Sequence, residues 1–160
     1  MKYQDDRTWG DKLLPQVKEI LEDNLHLLVE ITTASDYMDT KKSTDMVINL
    51  KAGGIAVRTR RVNCGFRDLT IRAKRDSGVK TELEKIIAGF CRWYFYGWTD
   101  NCGQITEWML IDLDCVRSCG LLEDRILIHN KDNAGTHFIA IPRDELRKNN
   151  CIVAEKIGSI

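Results

Sequence analysis

The chain has 160 residues, 43% hydrophobic and 30% charged, with a formal net charge of zero. That length and balance fit one soluble domain with a single substantial core, and they exclude wholesale disorder. The neutral total hides an uneven distribution: residues 46–80 hold nine basic and two acidic side chains, between flanks with an acidic excess. Such a segment is a candidate phosphate-binding surface unless the flanking carboxylates fold back and pair with it.

The N-terminal MKYQDDRTWG has no apolar core of the kind a secretory signal needs, and no apolar run approaches the roughly 18 residues of a membrane span. The expectation is therefore a cytoplasmic protein with no membrane partner. Six cysteines stand at 64, 91, 102, 115, 119 and 151. Cys115 and Cys119 form the one close pair, without a nearby histidine, and this spacing favours reduced thiols over zinc.

In chain order, Asp11 is placed to cap a first helix with Pro15 in its first turn. Leu13, Leu14, Val17, Ile20, Leu21 and Leu25 form its inward stripe, and it ends near Asn24. Residues 27–33, LLVEITT, read as a strand, with a continuation of the first helix as the alternative. A polar connector with Asp36 and Asp39 leads to Asp45 and the apolar run Met46–Leu50. Lys51-Ala52-Gly53-Gly54 reads as a turn.

Residues 55–62 then alternate, with Ile55, Val57, Thr59 and Arg61 on one side and Ala56, Arg58, Arg60 and Val62 on the other. Leu69, Ile71 and Ala73 repeat the pattern, opposite Thr70, Arg72 and Lys74. As neighbours, these strands would set Asp45 beside a bank of arginines on one sheet face.

Thr81-Glu82-Leu83-Glu84 matches a capping box that opens a short helix with an apolar stripe of Leu83, Ile86, Ile87 and Phe90. Strands are expected over 92–98, where the aromatic residues read as buried rather than base-stacking, and over 107–113, 126–129, 137–141 and 151–154. Residues 142–148 have helix-start character. His137, entering a strand after NKDNAG, reads as structural. The fold class is α/β (α+β): a single domain over 1–160, with a central mixed sheet flanked by helices.

The order helix, strand, Asp-led strand, basic strand, helix, strand resembles the core of the PD-(D/E)XK nuclease superfamily, which includes restriction endonucleases and archaeal Holliday-junction resolvases. The resemblance rests on residues 44–62 and implies a restriction-endonuclease-like core with extra C-terminal strands. In that family an Asp begins one strand and an acidic-x-Lys triplet lies on the next. The two carboxylates hold magnesium, which stabilises charge on the phosphate and activates a water.

Asp45 takes the Asp position, but Ala56 stands at the acidic position and Arg58 at that of the lysine. Alanine cannot ligate a metal, and arginine is no base near neutral pH, although it can clamp a phosphate. The resemblance then implies a carboxylate moved to the following helix, Glu82 with Lys85 beside it, or one supplied by Asp39 or Asp36. Each has a plainer alternative: Glu82 complementing a helix N-terminus, Lys85 as surface, Asp36 and Asp39 as turn residues, and Asp45 paired with an arginine.

On this reading Asp45, Glu82 and Asp39 are the metal ligands. Arg58 and Lys85 handle phosphate charge, and Arg58, Arg60, Arg72 and Lys74 contact nucleic acid. The expected activity is that of a divergent magnesium-dependent nuclease; the alternative is an inactive nuclease-fold protein that binds nucleic acid or a protein partner. The TD…RxRR…TIR…TExxKI…YG pattern is also similar to small uncharacterised phage proteins, which implies the cytoplasm of a bacterial host and leaves a homodimer open.

Overall fold

The computed structural model describes residues 2–24, 29–33, 46–50, 54–61, 65–76, 78–131 and 135–158. It shows an α/β fold whose centre is a four-stranded mixed sheet. The first helix, α1 (Lys2–Asp23), precedes an antiparallel pair, β1 (Val29–Thr33) and β2 (Met46–Leu50). The central sheet is built from β3 (Ile55–Arg60), β5 (Trp93–Thr99), β6 (Ile105–Asp112) and β9 (Ile152–Lys156), in that order. β3 runs parallel to β5, and the other pairings are antiparallel. A second, antiparallel sheet has the order β4 (Leu69–Arg75), β8 (Thr136–Ile141), β7 (Ile128–His129). Three short helices complete the described elements: α2 (Glu82–Ile87), α3 (Leu113–Ser118) and α4 (Arg143–Lys148).

The central strand explains the layering. All seven residues of β5 are buried, because it is paired on both edges and covered on both faces. Its period-two alternation sends Trp93 and Phe95 to one face, where they pack with Trp108 and Leu110 against Leu13 and Val17 of α1. Tyr94, Tyr96 and Trp98 go to the other face and meet Leu69 and Ile71 of β4 and Ile139 and Ile141 of β8. The side-chain amide of Gln16 fixes α1 over the β5–β6 turn: its nitrogen donates to the Gly103 carbonyl at 3.1 Å, and its oxygen accepts from the Ile105 N–H at 3.0 Å.

Several expectations are corrected. The first helix begins at Lys2 rather than Asp11, so Pro15 lies inside it. Trp9, four residues before Leu13, extends the buried stripe by another turn and packs on the same cluster. Leu14 is exposed, as are Ile87 at the end of the second helix and Phe90, which lies beyond it. The strand expected over 107–113 stops at Asp112, whose carboxylate accepts from the Asp114 N–H at 2.9 Å and begins α3. Apolar residues continue across that boundary because Leu113 is buried too, which conceals the change from strand to helix.

The two basic strands are not ladder neighbours: β3 edges the central sheet and β4 edges the second one. Among the described residues, no helix is long and apolar enough to cross a membrane.

Candidate functional site

Arginine side chains bridge β3, at one edge of the central sheet, and β4, at one edge of the second, and fill the seam between them. Ala56 packs against the main core, while Ile55 and Val57 on the alternate side are exposed. The Ala56–Arg58–Arg60 side of β3 therefore points inward, towards the second sheet, and its guanidinium groups must find acceptors there. Arg58 Nη1 donates to the Thr70 carbonyl at 2.8 Å and to Glu82 Oε2 at 2.7 Å. Arg60 Nε donates to the Tyr96 hydroxyl at 2.7 Å, and its Nη2 reaches the Thr70 hydroxyl. The Thr70 and Tyr96 hydroxyls share a further hydrogen bond of 2.7 Å.

Glu82 is the carboxylate at the centre of this arrangement. The capping box is present as expected: Glu84 N–H donates to Thr81 Oγ1 at 3.2 Å, and Thr81 N–H donates to Glu84 Oε2 at 2.5 Å. With Glu84 occupied in this way, Glu82 at the first helical position is turned to the seam. It accepts from Arg58, from the backbone N–H of Arg72 at 3.0 Å and, on Oε1, from the Tyr94 hydroxyl. Burial, reinforced by the Glu82 carboxylate, holds the Tyr94 hydroxyl well above the ordinary tyrosine pKa despite the opposing effect of Arg58, so it stays a donor. Burial works against the charge on Arg58, but the Tyr94 and Glu82 oxygens outweigh it and raise the pKa.

The other cations are not matched in this way. Arg72 is half-buried, and burial followed by repulsion from Arg58 and Arg75 lowers its pKa, with Glu82 as the opposing charge. The side chains of Arg72, Lys74 and Arg75 make no ion pair with a described carboxylate. Arg61 points to the opposite side of β3, where its guanidinium lies 4.9 Å from the centre of the Trp9 ring. Lys85 is exposed in the last turn of α2.

The structure thus brings Arg58, Arg60, Arg72 and Glu82 together, with Arg75 as an addition and Lys74 exposed on the same strand. Asp36, Asp39 and Asp45 lie outside the described residues, so the proposed metal pair of Asp45 with Glu82 is represented here by Glu82 alone. Sequence reasoning missed Thr70, Tyr94 and Tyr96 as partners of the arginines. The available signal was the period-two placement of the tyrosines on a strand in register with Ala56 and Arg58, where hydroxyl tips reach past a buried ring.

Among the described residues, the group of metal-ligating side chains close enough to share an ion is not here but at Cys115, Cys119 and Cys151. No protein-family model, curated protein or solved structure matches the chain.

Proposed function

We propose that the β3–β4 seam binds the phosphate backbone of a nucleic acid. One observation carries this reading: Arg72 is repelled by Arg58, Arg75 and Arg60, Glu82 is the opposing charge, and Arg72 makes no ion pair with a described carboxylate. An excess of positive charge in a partly desolvated seam is unfavourable without an anion, and a polyphosphate backbone supplies one. Lys74, exposed on the same strand, extends the surface.

Binding without hydrolysis is the version the geometry supports best. Both oxygens of Glu82 already accept hydrogen bonds, and the strand position where the nuclease family carries its second carboxylate is Ala56, packed against the core. The restriction-endonuclease-like arrangement remains part of the proposal, supported by parallel β3 and β5 joined through a crossover that contains α2. A magnesium-dependent nuclease is the competing version, and it draws on Asp45 and Asp39 for its ligands.

The experiment uses labelled single-stranded, duplex and branched DNA and RNA. Binding is measured in EDTA, and cleavage in magnesium. The expected result is salt-sensitive binding that needs no divalent ion, weakened by Arg72→Gln and Lys74→Gln, with no cleavage. Magnesium-dependent cleavage abolished by Asp45→Ala would instead establish the nuclease. Absence of binding at low salt would reject both.

A further inference from the structure

The chain places three cysteines from two distant segments at one point, through two helix ends of the same kind. Helix α3 ends with Cys119 at its C-cap and Gly120 at φ 67°. The Gly120 N–H donates to the Arg117 carbonyl at 3.1 Å and the Leu121 N–H to the Val116 carbonyl at 3.1 Å, the paired bonds of a Schellman motif. Helix α4 ends likewise: Asn150 sits at φ 57°, Asn150 N–H donates to the Arg147 carbonyl at 3.0 Å, and Cys151 N–H donates to that of Leu146 at 2.9 Å. The first motif fixes Cys119 one turn beyond Cys115 on the same helix face, and the second delivers Cys151 to them.

The three sulfurs lie within 4.8 Å of one another, with Cys115 Sγ 2.9 Å from that of Cys151 and 3.9 Å from that of Cys119. We infer that Cys115, Cys119 and Cys151 form a binding site for one thiophilic d¹⁰ cation, with Zn²⁺ as its representative. Zinc–sulfur bonds of about 2.3 Å in a tetrahedral arrangement put sulfurs roughly 3.8 Å apart, in the middle of the observed range. The donor set is all sulfur, so it selects soft or borderline ions over magnesium.

Cys151 is fully buried and Cys119 is exposed, so the site opens to solvent on one side and leaves a fourth position for water. On binding, each thiol releases its proton to solvent as its sulfur bonds the ion; no electron is transferred. Packing alone accounts for Cys115 and Cys151 as small apolar side chains, but not for an exposed third thiol converging on them.

The test uses the full chain, reduced and stripped of metal, titrated with Zn²⁺ against a chromophoric chelator and with Co²⁺ as an optical probe. One ion per chain is expected, with a sulfur-to-cobalt charge-transfer band. Cys119→Ser, an exposed change that leaves the core intact, is expected to weaken binding by more than the roughly tenfold to hundredfold that even outer-shell changes produce. Cys102→Ser, on the exposed β5–β6 turn, is expected to leave it unchanged. Zn²⁺ is also expected to slow alkylation of Cys119 and not of Cys102. The inference is overturned if no stoichiometric ion is retained, if the cobalt band persists in Cys119→Ser, or if Zn²⁺ leaves the alkylation rate of Cys119 unaltered.

Discussion

Two of the arginine clusters among the described residues are built on opposite rules. In the first, Arg143 of α4 is buried between Glu107 and Glu155: Nη1 pairs with Glu107, and Nε donates to Glu155 at 2.8 Å. Arg147 adds two bonds to Glu155, at 2.8 and 3.0 Å, and Arg67 pairs with Glu107 from the other side. The guanidinium groups of Arg67 and Arg143 also lie 5.4 and 5.5 Å from the centre of the Trp98 ring. Both carboxylates are held by two arginines, and the network ties β6, β9 and α4 together. In the β3–β4 seam Glu82 pairs with Arg58, and Arg72, repelled by Arg58, Arg75 and Arg60, makes no ion pair with a described carboxylate. The difference separates arginines that hold the fold from arginines available to a ligand, a distinction that composition alone does not make.

The sharpest way to break the comparison is to remove a member of the matched network. Arg143→Gln leaves Glu107 buried with too little positive charge, and a loss of about 3–5 kcal/mol is expected in denaturant unfolding. Glu82→Gln strips the seam of its carboxylate and is expected to destabilise the chain by about 1–3 kcal/mol; added polyanion, followed by thermal shift, should recover part of that loss.

The third test is acid. Glu155 lies below the ordinary carboxylate pKa: burial raises it, but hydrogen bonds from Arg147 and Arg143 prevail. Its contribution is therefore complete above the unfolded value of about 4.3 and is lost as pH falls through the folded one. Glu155→Gln should flatten the acid limb of stability by about 1 kcal/mol or less.

Smallest in size, and opposite in sign, is Arg72→Gln. Removing a charge that its neighbours repel should leave the free protein as stable as wild type or up to about 0.5 kcal/mol more so, while weakening polyanion binding. A loss comparable with that of Arg143→Gln would show that Arg72 is structural.

Local chemistry was legible in the sequence where neighbouring residues settle it. The Thr81–Glu84 capping box needs only four residues, and the aromatic run of β5 declares a buried strand by composition. The clustering of charge in residues 46–80 likewise pointed to the seam. Contacts between distant segments were not legible. Nothing in Pro142–Lys148 announces that Arg143 turns inward to Glu107, 36 positions earlier. The same separation divides Cys151 from Cys115, so a search for close cysteine spacing found two of the three thiols. Strict alternation separated the two sides of β3 without showing which one turns inward, and placing β3 and β4 in one sheet was an assumption about pairing that period-two patterning cannot test.

The central claim is that the seam, and not the matched network, meets phosphate. The most direct measurement is the salt dependence of duplex DNA affinity for wild type, the Arg72→Gln/Lys74→Gln double variant, and Arg147→Gln. If each seam cation contacts one phosphate, the slope of log affinity against log salt should fall by about 1.8 in the double variant and stay at the wild-type value in Arg147→Gln. Equal slopes in all three proteins, or the larger change in Arg147→Gln, would contradict the account.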